Sequence, residues 1–163
     1  DSAERAGRDP ASVRVWSVLA TVEDSIPEEA RLRKLVGRLA TYMQGYGAVL
    51  VEANGWDPAD LERFRSDSLV QGYPGAFDAI GTVEELTHLR DEVLPAHWLK
   101  ASATGSAEAC ARRVLDQFDN GADSVILHGA TPAELAPVVE AWSAIRPTER
   151  FAGLPTNPGH MAP

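Results

Sequence analysis

LKASATGSAEACARRVLDQFDNGADSVILHG, residues 99–129, is the stretch that decides the fold class. A turn of small residues opens a helix, a glycine closes it, and a β-branched apolar run follows at once. Ser106 is placed as an N-cap, and Glu108 falls in the first turn, where the helix dipole favours an anion. Ala107, Cys110, Ala111, Val114, Leu115 and Phe118 recur at helical spacing on one face. Gly121 suits the left-handed residue that ends a helix. Val125 to Leu127 is apolar on both faces, which predicts a strand buried between layers. Together these residues make the αβ half-unit of a parallel sheet.

Upstream, Ser2 to Gly7 reads as the tail of a helix, stopped by Gly7 and then Pro10, so the chain begins inside an element. Val13 to Val22 predicts a second strand with two apolar faces. Ser25 and Glu28 stand at capping-box spacing before a helix striped by Leu32, Leu35, Val36, Leu39 and Met43. From Gly45 to Gly81 glycines and prolines break the pattern. The apolar run Tyr46 to Ala53 is too short for periodicity to type and is read as helical. Asp57-Pro58 predicts a short helix through Arg65, with proline at its first position. Thr82 and Glu85 form another capping box, and the helix they start runs to Pro95. Leu99 to Ala103 predicts a short strand. After Val125, Thr131-Pro132-Ala133-Glu134 opens a last helix carrying Leu135, Val138, Val139, Trp142 and Ile145, which Arg146-Pro147 ends.

Alternation of this kind means parallel strands joined by crossover helices. Two to four strands neither close a barrel nor cover a sheet, and apolar strand faces at open edges invite pairing. The chain therefore reads as part of a larger fold, or as one that dimerises to complete one. The expected division is an α/β body over 1–147, with a helical insert at about 45–95, and a surface tail over 148–163.

Composition narrows the function classes. The 163 residues suffice for one domain with a core, and 44 % hydrophobic residues is ordinary for a globular protein. With 15 basic and 24 acidic residues the net charge is −9, which argues against a nucleic-acid backbone as partner. No apolar run approaches the ~18 residues that span a bilayer, and neither end reads as a signal peptide. The single cysteine, Cys110, rules out an internal disulfide and suits a reducing cytoplasm; on its helix it reads as a small core residue. His88, His97 and His160 lack metal-ligand spacing with each other or with Cys110, so no metal site is expected. There is no dinucleotide loop, phosphate loop or nucleophile elbow.

Taken in order, Gly105-Ser106-Ala107-Glu108, Gly121-Ala122-Asp123 and Val125-Ile126-Leu127-His128 resemble the ending of luciferase-like monooxygenases. Ala6-Gly7-Arg8-Asp9-Pro10 and the following strand are similar to the segment that opens the C-terminal half of that family. Gly37-Arg38-Leu39-Ala40-Thr41-Tyr42 and Asn54-Gly55-Trp56-Asp57-Pro58 resemble its actinobacterial, deazaflavin-using branch. Ala107 departs from the proline frequent there, which touches helix-start rigidity and no chemistry. The resemblance covers nearly all of the chain except the tail. It implies the last three strands of a (β/α)8 TIM barrel of ~250 residues or more. It further implies an oxidoreductase that moves a hydride between deazaflavin coenzyme F-420, or alternatively FMN, and a small organic substrate. Most of the family's cofactor pocket, with its catalytic acids and histidines, lies in the first half, and no residue here matches those positions. The implied partner is a complementary N-terminal half, with a homodimer as the other option.

Sites in such barrels lie at the C-terminal ends of strands. The candidates for cofactor or substrate binding are therefore Thr21 after the first strand, Thr104, Gly105 and Ser106 after the short one, and His128 and Gly129 after the last. The turns at Ser106 and at Gly129-Ala130-Thr131 could hold an anion at a helix N-terminus or simply cap the helix. His128 reads as a structural histidine or an acid-base group. Trp56, Asn54 and Tyr42 sit in the insert, as a lid or as packing. Two other readings stand beside the oxidoreductase: a phosphate-binding barrel isomerase or synthase, and a non-catalytic half-barrel that exists to assemble.

Overall fold

The computed structural model describes residues 2–152. Helix α1 (Ser2–Arg5) precedes strand β1 (Trp16–Glu23). A run of helices follows: α2 (Glu28–Leu32), α3 (Arg38–Asn54), α4 (Pro58–Ser66), α5 (Phe77–Ile80), α6 (Val83–His88) and α7 (Ala96–Leu99). Strand β2 (Ala103–Gly105), helix α8 (Ala107–Asp119), strand β3 (Ser124–His128) and helix α9 (Pro132–Ile145) complete the order. The architecture is α/β, and no described helix is long and apolar enough to cross a membrane.

The opening stretch folds as its residues dictate. Ser106 Oγ accepts from the Ala109 amide at 3.3 Å, and Gly121 takes φ +96°. Cys110, Ala111, Val114 and Phe118 are buried on the face of α8 that the spacing marks. The capping boxes at Thr82/Glu85 and Thr131/Glu134 both form. Tyr46 to Ala53 is helical, inside α3.

Three local expectations are corrected. Ser25 does not cap a helix: its amide and hydroxyl both donate to the Glu23 carboxylate, and α2 begins only after Pro27. Leu99 belongs to α7, so β2 starts at Ala103 and has three residues. Trp98 is 1 % exposed, and its burial holds that segment in the helical layer. Residues 149–151 form a turn rather than an extended strand: Phe151 is buried and meets Phe118 edge-on at 4.9 Å, while 148–150 and 152 stay exposed. The remainder of the expected tail lies outside the described residues.

The sheet is parallel, in the order β2-β1-β3. Three consecutive barrel strands would instead be neighbours in chain order, so among the described residues the strands form an open sheet. The chain steps from β1 to β2 on one side, then back across β1 to β3 on the other. Right-handed crossovers then require the two connections on opposite faces, and that is where they lie. Helices α8 and α9 pack on Leu19, Val125 and Leu127. The α2–α7 layer approaches the other face, near Val18, Ala20 and Val22.

That second face is only half covered. Trp16 is 58 % exposed, Val18 62 % and Ile126 43 %. Trp16, Val18 and Ala20 stand level with Ser124, Ile126 and His128 on β3. The two-sided burial expected of β1 and β3 therefore holds only toward the carboxyl end of β1, where Thr21, Val22 and Glu23 are buried; no residue of β3 is. The helical layer has a separate core around Val36, Met43, Phe64, Phe77, Leu89 and Trp98.

Candidate functional site

In a parallel sheet whose strand order reverses, ligands gather outside the carboxyl ends of the strands, at the point of reversal. Here that point is the end of β1 with β3 beside it, where α2 and α3 cross the sheet. Between α2 and α3 the helix widens into a π-helical turn, Arg33–Gly37, a feature frequent at functional sites. Lys34, Arg38 and Tyr42, four residues apart, reach from this helix toward the end of β3.

Lys34 Nζ donates to the Gly129 carbonyl and to Glu134 Oε2, both at 3.1 Å. Arg38 lies against Gly129, and a Cβ there would collide with its Nη1. Gly129 also has φ +98°, so only glycine serves both the turn and the approach of the guanidinium. Arg38 Nη1 is buried with no hydrogen-bond partner, and no carboxylate lies within ion-pair distance of Arg38 among the described residues. Tyr42 Oη lies 3.4 Å from His128 Nε2. Burial, and then the charge of Arg38, hold the His128 pKa below its ordinary value, so at neutral pH it is a neutral imidazole.

Above these groups a cleft of about 250 Å³ opens between the uncovered sheet face and the helical layer. Val18, Ala20, Leu35, Leu39, Leu50 and Leu99 line it, and Trp56 stacks on Trp98 along one wall with ring centroids 5.2 Å apart. Lys34 and Arg38 supply its charge, and no Asp or Glu lines it. A larger hollow of about 410 Å³ lies on the far side of Lys34 and Arg38. There Glu29 and Asp78 face Arg33, Lys34 and Arg38, and Pro27 and Ala30 are the apolar residues of the lining, with no aromatic wall.

The six residues expected from sequence scatter around this cleft. His128 and Gly129 meet Lys34, Arg38 and Tyr42. Thr104 lines a neighbouring pocket of about 180 Å³ with Val22 and Leu35. Thr21 is fully buried on the opposite face, its hydroxyl donating to the Leu19 carbonyl at 3.0 Å. Gly105 forms the turn into α8. Ser106 caps that helix and donates its hydroxyl to Glu108 Oε2 at 2.7 Å. At the start of α9, Glu134 likewise accepts from the Thr131 amide at 2.7 Å. The protein's own carboxylates thus sit at both helix N-termini, where they oppose a second anion. Hydrogen bonds to Ser106 and to Thr131 hold the pKa values of Glu108 and Glu134 low.

Lys34 and Arg38 are not among the residues the sequence marks, since two cations four apart on a helix carry no signal beyond that of a solvated face. The one available signal was an unopposed arginine beside an apolar stripe in an acidic chain. Cys110 is not a reactive group: burial, then Glu23 and Asp24, push its thiol up to about 11. Comparison with protein-family models, with curated protein sequences and with solved structures yields no match.

Proposed function

We propose that the chain is the C-terminal portion of an oxidoreductase of the luciferase-like type. It would work with coenzyme F-420 or FMN on a small organic substrate held at the carboxyl end of the parallel strands. The observation that supports this most is the cleft itself, with an aromatic and aliphatic wall and a cationic floor, and with His128 behind the Tyr42 hydroxyl at the strand end. The cofactor, when bound, supplies the hydride chemistry; the chain's residues bind, orient and exclude water.

The cleft bears on where that cofactor fits. At about 250 Å³ it falls below the about 300 Å³ at which sites for drug-sized ligands begin. It therefore takes a substrate or one end of a cofactor, and a ring system has to lie on the open face around Val18 and Ile126. That face needs a cover. A complementary N-terminal half that closed a barrel would have to displace the β1–β3 pairing, because barrel strands neighbour in chain order. A second copy docked on the open face leaves the pairing intact. The isomerase or synthase reading needs phosphate at Ser106 or Gly129, where Glu108 and Glu134 already stand.

Titration with coenzyme F-420 and with FMN, read by quenching of tryptophan fluorescence, tests the proposal. The expected result is weak, saturable binding with Kd above about 100 µM, roughly 5.5 kcal/mol or less. No binding of either cofactor at millimolar concentration contradicts the oxidoreductase reading. Micromolar one-to-one binding contradicts the incompleteness of the pocket.

A further inference from the structure

Two buried side-chain polar atoms among the described residues have no hydrogen-bond partner: Arg38 Nη1 and Trp98 Nε1. Both residues line the same cleft. Both atoms are donors and cannot accept. Leaving a buried donor unsatisfied costs free energy, more so when it is charged. A protein with nine more acids than bases (24 against 15) has ample carboxylates to neutralise one arginine, yet among the described residues none reaches this one. Lys34, by contrast, is already engaged by Glu134 and by the Gly129 carbonyl. Arg38 is thus the open cation of the cleft, and its charge is permanent.

The walls define the rest of the ligand. Trp56 stacks face to face on the buried Trp98, their planes 20° apart, so Trp98 fixes the ring of the half-buried Trp56 as the aromatic part of the wall. Val18, Leu35, Leu39 and Leu50 complete an apolar body around it. Resting on the reading of this cleft as a small-molecule site, we propose that it binds an aromatic carboxylic acid. The ring packs along the tryptophan wall, and the carboxylate is received by Arg38, with Lys34 adding charge. A planar guanidinium matches a carboxylate in two parallel hydrogen bonds, and an aromatic body gains stacking contacts that an aliphatic acid lacks.

The test uses benzoate, its neutral isostere benzamide, and acetate, which lacks the ring, each titrated at constant ionic strength by calorimetry. Expected is one-to-one benzoate binding, with benzamide and acetate each at least tenfold weaker. Arg38→Gln should weaken benzoate tenfold or more and leave benzamide unchanged; Arg38→Lys should fall between. Cooperative thermal unfolding of each variant establishes that it folds, and if Arg38→Gln does not fold, the benzoate-to-benzamide ratio in the unaltered protein decides. Equal binding of benzoate and benzamide overturns the acid, while the cleft stands as a small-molecule site. Inorganic phosphate binding more tightly than benzoate also overturns it. Binding of none of the probes overturns both the acid and the cleft, whereas the cofactor titration alone judges the oxidoreductase reading.

Discussion

The two faces of one three-stranded sheet differ more than the strands that build them. On one side Leu19 is 3 % exposed beneath α8 and α9, and Phe118, Trp142 and Phe151 form an aromatic cluster with centroids 4.9–6.0 Å apart. On the other, Val18, one residue along, is more than half exposed. Both residues are apolar and both lie mid-strand. What separates them is the helix each face receives. Helix α8 carries an unbroken stripe from Ala107 to Phe118, and short connections press it onto β1 and β3. The π-helical turn and α3 cross the opposite face only at its carboxyl end. The covered face is a core; the open one is a surface with a cleft at its edge, where ligands and partners gather.

The largest effect that could break this comparison comes from the covered face. Phe118→Ala removes the centre of the aromatic cluster and should cost ~3–5 kcal/mol, read as a lower denaturation midpoint. A loss below about 1 kcal/mol would mean that this face is no better packed than the other. Gly129→Ala comes next. A positive φ costs an L-residue about 1–2 kcal/mol, and the new methyl displaces Arg38. Stability should fall, and so should benzoate affinity. Thr131→Ala removes a capping box and should cost ~1 kcal/mol with benzoate binding unchanged.

The pH response of His128 is smaller and directional. Its folded pKa lies below the unfolded value near 6.5, so on acidification the unfolded chain takes up the proton first. Stability contributed by the neutral ring is therefore complete above pH ~6.5 and is lost as pH falls toward the folded pKa. His128→Gln should flatten the slope of stability between pH 7 and 5. Arg38→Gln should raise the His128 midpoint in an NMR titration. An unmoved midpoint would separate the two groups electrically.

The smallest effect belongs to the open face. Trp16→Ser with Val18→Thr should change monomer stability by no more than about 0.5 kcal/mol each. Sedimentation equilibrium should show the unaltered protein self-associating and the double variant shifted toward monomer. A monomeric unaltered protein at high micromolar concentration would remove the second copy as the cover.

Much of this contrast was legible in the residues, though unevenly. The stripe of α8 and the capping boxes at Thr82 and Thr131 are local patterns with local causes, and they form as read. Ser25 with Glu28 carries the same spacing but fails, because Glu23 reaches Ser25 first. Leu99 was drawn into a strand by its apolar neighbours, while the burial of Trp98 keeps it helical. Strand order left no local trace: β-branched runs such as Val125 to Leu127 pair equally well with either neighbour. For the same reason the sequence predicts cover for the half-open face and does not single out Lys34 or Arg38 as site residues. Their role depends on Gly129, about 90 residues away in the chain, arriving beneath them.

The claim at the centre of this account is that the open face, and not the covered one, receives the ligand. Chemical-shift mapping of the ¹⁵N-labelled protein with benzoate tests it directly. The expected result is perturbation of the Trp56 and Trp98 indoles and of the Tyr42, His128 and Gly129 amides, with Phe118 and Trp142 unmoved. Shifts concentrated at Phe118 and Trp142, or spread evenly over both faces, would contradict it.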